Sequence, residues 1–163
     1  MNLISVKTDE DIKELASLAF EIWHEYWPAM LSFEQIDYMV KKFQSEAAIK
    51  EQLNKGHYIY NMFEYSGIVF GYYGVFPQKD FLFLSKFYIK NGYRGMGFGK
   101  LAFESIKQIA LKNDLNKIRL TVNRNNHNAI SAYEKLGMEI VNESVTDIGN
   151  GFVMDDYIME IRL

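Results

Sequence analysis

Residues 81–113 read FLFLSKFYIKNGYRGMGFGKLAFESIKQIALKN, and this stretch decides the fold. An apolar run, Phe81 to Ile89, passes through a polar turn into a glycine-rich segment, Arg94 to Lys100, and a helical pattern follows. Glycine lets the backbone adopt positive φ and approach a ligand closely. The unpaired N–H groups at the start of a helix attract negative charge. A strand, a glycine-rich turn and a helix start in this order therefore predict a phosphate-binding site.

Two common phosphate-binding motifs do not fit this segment. A P-loop needs Ser or Thr after its Gly-Lys pair, but Leu101 follows here. A dinucleotide-binding loop running from Gly97 to Ala102 would satisfy only the looser form of its glycine pattern. Such glycines should follow the strand directly, whereas seven residues separate Ile89 from Gly97. In addition, Asn123 and not an acidic residue follows the next predicted strand, so we reject both motifs.

Arg94, Gly97 and Gly99 fit a third signature, Arg/Gln-x-x-Gly-x-Gly/Ala. This signature resembles motif A of the GNAT superfamily of N-acetyltransferases, in which it holds the pyrophosphate of acetyl-CoA. Three glycines in a loop are a weak signal when they stand alone. A glycine-rich turn that binds no ligand is therefore the alternative at this point.

A second motif follows the next predicted strand, Lys117 to Val122. The GNAT superfamily carries Asn-x-x-Ala-x-x-x-Tyr followed by Glu-Lys-x-Gly. The chain matches it with Asn126, Ala129, Tyr133 and the run Glu134 to Gly137. The two motifs occur in the family's order and at its usual separation. Together they make the chain similar to this superfamily in fold and in cofactor.

The composition is that of an ordinary globular protein and excludes several classes. With 163 residues we expect a single domain over residues 1–163. The absence of cysteine excludes disulfides, thiolate metal sites and a cysteine nucleophile. No His/Asp/Glu cluster has the spacing of metal ligands, so we expect no metal. The net charge of −3 argues against nucleic-acid binding. Without a signal peptide or a long apolar run, we expect no membrane association and a cytoplasmic location.

The hydrophobic pattern predicts helices first and strands later. Thr8 to Asp11 and Ser32 to Gln35 are typical of capping boxes at helix starts. In chain order we expect a strand (3–6), two or three helices (12–56), three antiparallel strands (58–65, 68–76 and 81–89), a helix (99–113), a strand (117–122), a helix (128–136) and a closing hairpin (138–147 with 152–163). Because a helix connects them, the strands 81–89 and 117–122 should be parallel.

This succession of elements indicates a mixed α/β fold built in layers. The resemblance implies the GNAT-type acyl-CoA N-acyltransferase fold. In that fold a mixed, mostly antiparallel sheet is flanked by helices, and a central pair of parallel strands splays apart. The pantetheine arm of acetyl-CoA enters the gap between those two strands.

The resemblance also implies a set of residues that bind acetyl-CoA. Backbone groups of the central strand would contact the pantetheine arm, and the glycine-rich segment would hold the pyrophosphate. The set is Phe87, Tyr88, Ile89, Arg94, Gly95, Met96, Gly97, Phe98, Gly99, Lys100, Asn126 and Tyr133. A surface charge is the alternative for Arg94, and a helix cap is the alternative for Asn126.

The chemistry of acetyl transfer needs a general acid and a route for the proton of the amine. Tyr133 is the candidate catalytic acid for the leaving thiolate, because a phenol with a pKa of ~10 is protonated at pH 7 and can donate. A Tyr that only packs on its helix is the alternative. The general base stays open among Glu21, His24, Glu25, Glu64, Asp155, Asp156 and a water chain.

The acceptor site is expected at the segment Trp27 to Gln35, where the family builds its variable lid. Aromatic residues with carboxylates near them suit a small cationic amine, and the candidates are Tyr26, Tyr38, Tyr72 and Tyr73. Packing of these rings into the core is the alternative.

We therefore expect an acetyl-CoA-dependent N-acetyltransferase that acts on a primary amine. The acceptor would be a small molecule, polyamine-like or amino-acid-like, which attacks directly in a ternary complex. A protein N-terminal or lysyl acetyltransferase and a non-catalytic acyl-CoA-binding module are the alternatives. Whether the protein forms a homodimer also stays open.

Overall fold

Seven strands form one sheet in the computed structural model, which describes residues 1–163. They are β1 (Asn2–Ser5), β2 (Ile59–Tyr65), β3 (Ile68–Pro77), β4 (Leu82–Ile89), β5 (Lys117–Asn123), β6 (Glu139–Gly149) and β7 (Phe152–Arg162). Their order across the sheet is β1-β2-β3-β4-β5-β7-β6. Every neighbouring pair is antiparallel except β4 and β5, which are parallel. The predicted mixed, mostly antiparallel sheet is confirmed.

Five helices cover the two faces of this sheet. They are α1 (Asp9–Tyr26), α2 (Phe33–Phe43), α3 (Glu46–Lys55), α4 (Phe98–Lys112) and α5 (His127–Lys135). The first three helices pack on one face around a buried apolar cluster, and the last two pack on the other face around a second cluster. The predicted order of elements is confirmed, with boundaries that differ by at most three residues. None of the helices combines the length and the apolar composition that crossing a bilayer requires.

The two predicted capping boxes have different outcomes. At the start of α1, the Thr8 hydroxyl accepts from the Asp11 N–H at 3.1 Å, and the Asp11 carboxylate accepts from the Thr8 N–H at 2.8 Å. That box is confirmed. At the start of α2, the Ser32 hydroxyl accepts from the Gln35 N–H at 3.2 Å, but the Gln35 side chain donates to the sulfur of Met154 at 3.8 Å. The prediction of a full capping box is therefore wrong at Ser32, because the Gln35 side chain contacts β7 and does not bond back to the Ser32 N–H.

The parallel pair splays apart as predicted. Strands β4 and β5 pair only at Leu82 with Ile118 and at Phe83 with Arg119, although both strands continue beyond these positions. Just past this point β4 carries one extra residue, Ser85, between the residues that face Val75 and Gly74 of β3. Such a bulge bends a strand and increases its local twist. The bulge thereby accounts for the gap that opens between β4 and β5.

The closing hairpin of β6 and β7 reaches back over α2. Its turn contains Asn150 and Gly151, both with positive φ, as a two-residue hairpin turn requires. Near this turn, the carbonyl oxygen of Ile148 accepts from the hydroxyl of Tyr38 at 2.8 Å and from the ammonium of Lys42. These bonds fix the hairpin to the side of the sheet on which α1, α2 and α3 lie.

Candidate active site

A single large cavity passes through the gap in the sheet. Its volume is about 750 Å³. At one end it is lined by the glycine-rich segment, and in the middle by the separated parts of β4 and β5. At the other end its walls come from Trp27, Met39, Phe43, Ile148 and Met154. We refer to the first end as the donor end and to the second as the acceptor end.

The glycine-rich segment presents free backbone donors at the donor end. Gly95 and Gly97 have φ values of 76° and 84°, which glycine adopts without steric cost, and Gly97 is the N-cap of α4. The N–H groups from Gly95 to Gly99 donate to no carbonyl oxygen of the chain. Because the positive end of the α4 dipole lies here as well, these residues fit the pyrophosphate of acetyl-CoA.

Gly99 provides an independent test of that fit. Its backbone does not need glycine, because its φ is not positive, and an added Cβ would meet only Ile89 Cδ1, at 3.8 Å. Gly99 lies in the first turn of α4 and lines the cavity. A side chain at this position would therefore occupy cavity space without straining the fold. Glycine at position 99 keeps this part of the cavity empty, and a phosphate that binds close to the backbone requires such empty space.

The cationic side chains at this end are Arg94 and Lys100, which both line the cavity. Arg94 Nε donates to the carbonyl oxygen of Ile89 at 2.7 Å, and its guanidinium lies 4.8 Å from the centre of the Tyr26 ring. Glu25 lies 3.9 Å from the same guanidinium. These contacts hold Arg94 beside the glycine-rich segment while part of its side chain stays exposed.

Two predicted cofactor-binding residues direct their side chains elsewhere. Met96 points to solvent, with a relative exposure of 58%. Phe98 is buried in the core, where its ring lies 4.8 Å from the ring of Phe70. Neither side chain lines the cavity. If these two residues bind phosphate, they would do so only through their backbone N–H groups.

The middle of the cavity is bounded by the part of β4 that has no partner on the β5 side. Phe87, Tyr88 and Ile89 all line it, and their backbone edge toward β5 is unpaired. The Phe87 ring stacks on the Tyr133 ring with 6.3 Å between centroids. Tyr88 packs against Trp23 at 5.4 Å on the opposite face of the strand. This edge leaves backbone groups free for the amides of a pantetheine arm.

Asn126 is the N-cap of α5 and also lines the cavity. Its Oδ1 accepts from the Ala129 N–H at 3.2 Å, which caps α5, and from the Tyr26 hydroxyl at 2.6 Å. Its Nδ2 donates to no group of the protein, and the residue lines the cavity. One end of the amide therefore stabilises the helix start, and the other end is free for a ligand.

Tyr133 lies on α5 and faces the same cavity. Its hydroxyl makes no hydrogen bond within the protein. Burial, and then the neighbouring Tyr26, raise the pKa of Tyr133 well above its usual value. The phenol is therefore protonated at pH 7, which a role as general acid would require.

The base candidates separate clearly by position. Glu64 is half-buried and accepts from Asn2 and from the Gly67 N–H, away from the cavity. Glu21 pairs with Lys90, His24 pairs with Asp37, and Asp155 pairs with Arg124. Glu25 stands beside Arg94 at the donor end. None of these five candidates lines the cavity.

Asp156 is the one base candidate that lines the cavity. Its Oδ1 is buried and has no hydrogen-bond partner, and Trp27 Nε1 in the same cavity is likewise unpartnered. Burial, and then repulsion from Asp155, raise the pKa of Asp156 to about 6. A carboxylate with free lone pairs and this pKa is charged at pH 7 and can accept a proton.

Comparison with known proteins decides the family. Residues 15–138 match the family model described as the Acetyltransferase (GNAT) family, which is more than half of the chain. The chain belongs to the GNAT family. It is therefore an acetyl-CoA-dependent N-acetyltransferase, and acetyl-CoA is the donor that the glycine-rich segment fits.

Solved GNAT structures have the same fold as this GNAT protein. The PaiA N-acetyltransferase of Thermoplasma acidophilum, crystallised with coenzyme A, is 21% identical over 100% of both chains, with a TM-score of 0.82. Ribosomal-protein-alanine N-acetyltransferase from Brucella melitensis is 16% identical over 100% of both chains, with a TM-score of 0.69. Aminoglycoside 6'-acetyltransferase type Ii is 18% identical over 99% of this chain and 97% of its own, with a TM-score of 0.70. At these identities the likeness concerns the fold alone.

The expected aromatic wall of this GNAT protein is only partly right. Tyr26 and Trp27 line the cavity, but Tyr38, Tyr72 and Tyr73 do not. Tyr72 and Tyr73 belong to β3, which is covered by helices on both faces, so their rings are buried in the two core clusters. Tyr38 instead bonds the hairpin. The aromatic character of the cavity therefore comes mainly from the end of α1 and from β4.

Sequence reasoning missed several polar residues of the cavity, among them Lys86 and Asn123. Lys86 stands inside an apolar strand, and a lone charge in such a run was the signal that could have identified it. Asn123 is almost fully buried, and its Oδ1 accepts from the Asn125 N–H at 2.9 Å. It ends β5, where a polar residue looked like the beginning of a loop. No three His, Asp or Glu side chains come together as a metal site.

A Gly99→Val variant should bind acetyl-CoA at least about tenfold more weakly, a loss of ~1.4 kcal/mol. The added side chain would occupy the space next to the free N–H groups, while the helix tolerates it. Isothermal calorimetry on the folded variant measures the change. Gly92→Val is the matched control, because Gly92 lies outside the cavity and an added Cβ there meets nothing within 4 Å. Equal acetyl-CoA affinity in both variants would exclude the glycine-rich segment as the pyrophosphate site.

Proposed function

We propose that this protein acetylates a primary amine of a small molecule by direct attack in a ternary complex with acetyl-CoA. The observation that carries the proposal is the hairpin wall at the acceptor end. The hairpin is fixed to α2 through Tyr38, Lys42 and Gln35. Ile148 and Met154 of the hairpin thereby form part of the wall at the acceptor end, together with Trp27. A cavity bounded by the hairpin at this end suits a compact acceptor, whereas a peptide needs an open groove.

The chemistry follows from the two polar groups on opposite sides of the gap. Acetyl-CoA supplies an activated acyl group as a thioester. Asp156 holds the amine and accepts one proton from its nitrogen as the nitrogen–carbon bond forms. Tyr133 supplies one proton to the sulfur as the carbon–sulfur bond breaks. The amine nitrogen thus loses one proton and the sulfur of CoA gains one, and the products are an N-acetyl amine and a free thiol.

A protein acceptor is the second candidate, because ribosomal-protein-alanine N-acetyltransferase shares the fold. The hairpin wall at the acceptor end favours the small acceptor, since its bonds to α2 hold it where an extended peptide would have to pass. Aminoglycoside 6'-acetyltransferase, whose name gives a small-molecule acceptor, shares the fold to the same extent.

Release of free thiol from acetyl-CoA tests the proposal directly. We expect release with at least one compound from a panel of small primary amines, and release near background with short peptides that have free N-termini or lysines. Calorimetric titration with CoA accompanies the assay. Binding of CoA without thiol release from any acceptor would favour the non-catalytic acyl-CoA-binding module. Faster release with peptides than with small amines would favour the protein acetyltransferase.

A further inference from the structure

A lysine with no acidic partner lies at the acceptor end of the cavity. Lys86 lines the cavity between Leu84 and Phe87 on β4. Tyr88, two residues further along, packs into the cluster under α1 and α2, so Lys86 faces the same side. In agreement, the Lys86 ammonium lies 6.0 Å from the centre of the Phe43 ring at the end of α2. Burial lowers the pKa of Lys86 to about 8, so the side chain is mostly charged at pH 7.

The surroundings of Lys86 are neutral hydrogen-bonding groups. Its ammonium donates to the Ser85 hydroxyl at 2.8 Å, and that hydroxyl lies 3.1 Å from the Tyr58 hydroxyl. No carboxylate lies within ion-pair distance of the ammonium. An ammonium has three donors, and only Ser85 accepts from this one. A half-buried cation without a counter-charge is still costly, so an apolar residue would stabilise this position more if the fold alone were concerned.

The second charge at this end has the opposite sign. Met154 of β7 packs into the same cluster under α1 and α2, and Asp156 follows it by two residues, so Asp156 faces the same side as Lys86. Strand β5 lies between β4 and β7 in the sheet. Two strand spacings amount to roughly 10 Å even before the splay widens the gap. On the side of the sheet covered by α1 and α2, the cavity thus presents the anion Asp156 and the cation Lys86, which do not pair with each other.

We infer that the acceptor carries a carboxylate, or a similar anionic group, that binds to Lys86 while its amine lies at Asp156. This inference rests on the proposed function and narrows its substrate class to ω-amino acids and related dipolar amines. A diamine would place its second ammonium against Lys86, and like charges repel. Lys86 and Ser85 then determine specificity, and neither takes part in the chemistry.

Three acceptors of similar length test the assignment: 5-aminopentanoate, pentylamine and 1,5-diaminopentane. In the wild type, kcat/KM for 5-aminopentanoate should exceed that for the other two by at least about tenfold, because a charge-assisted contact is lost or reversed in them. Lys86→Met should reduce this preference to less than about threefold, mainly through KM. Lys86→Arg, which keeps the charge, should retain part of it. Lys79→Met, at an exposed position outside the cavity, is the control.

Calorimetry of 5-aminopentanoate on the CoA-loaded protein separates this inference from the proposed function. Binding to the wild type and not to Lys86→Met, without turnover of any amine, would support the anion site and contradict the proposed function. Turnover of pentylamine or 1,5-diaminopentane at rates that Lys86→Met leaves unchanged would overturn the anion site and leave the proposed function intact. Neither binding nor turnover would overturn both.

Discussion

Tyr133→Phe should lower kcat by about 10²–10⁴-fold while the affinity for acetyl-CoA hardly changes. The substitution removes only the hydroxyl, which makes no hydrogen bond within the protein, and keeps the ring that stacks on Phe87. The folded state therefore loses nothing except a proton donor in the cavity. Steady-state kinetics of thiol release, together with calorimetry of acetyl-CoA binding, measure the two effects separately.

The matched control for this variant is Tyr65→Phe. Tyr65 is an exposed residue at the end of β2, and its hydroxyl also has no hydrogen-bond partner. That variant should keep the turnover of the wild type. If the loss in Tyr133→Phe were below about threefold, with acetyl transfer shown to be rate-limiting, the role as general acid would be untenable.

Asp156→Asn should lower kcat/KM by a similar factor, about 10²–10⁴-fold, because the amide can neither accept the proton nor attract the ammonium group of the acceptor. In the wild type, kcat/KM should fall roughly tenfold per pH unit well below the pKa of this carboxyl, which is about 6. The break in the profile near pH 6 should be absent from the residual activity of the variant. A pH profile from 4.5 to 8.5 checks both statements.

Asp155→Asn is the control for Asp156. Asp155 carries the neighbouring charge but pairs with Arg124 outside the cavity. Its removal weakens the repulsion that helps to raise the pKa of Asp156, so the acidic limb should stay and move slightly to lower pH. An unchanged limb in Asp156→Asn would assign the base to another group or to water.

The same variants reveal an effect on stability with a defined sign. The pKa of Asp156 is raised in the folded state, so this state binds the proton more tightly than the unfolded chain does. This tighter proton binding stabilises the folded state. The stabilisation is fully present below the ordinary pKa of Asp and is lost as the pH rises through about 6. Relative to the wild type, Asp156→Asn should therefore resist urea better at pH 8 and no better near pH 4.

The fold was predictable from sequence because its signals are local. Ser or Thr caps mark the starts of three helices, and the glycines of residues 95–99 mark the start of a fourth. Near residue 57 the hydrophobic pattern changes from a helical period to a strand period. Each of these signals lies within or next to the element that it specifies. The donor end was predictable for the same reason, since its residues are contiguous. Asp156 and Lys86 could not be assigned to the cavity in this way. They lie on β7 and β4, which are far apart in the sequence, and only the order of strands in the sheet brings them to the same cavity. Nothing near residue 156 in the sequence indicates which side of the strand faces the gap.

The bulge at Ser85 has a consequence for how this protein can change. Leu82 and Leu84 face the α4 side of the sheet, and so do Phe87 and Ile89. Successive residues on this face are two positions apart, except that three positions separate Leu84 from Phe87. The opening in the sheet is therefore encoded by the number of residues in β4 and not by the identity of any side chain. Deleting Ser85 would leave every other side chain of the strand on its present face and restore a regular ladder with β3, and we expect the gap toward β5 to narrow. The opening that the cavity occupies thus depends on the number of residues in β4, which the exchange of a single side chain does not change.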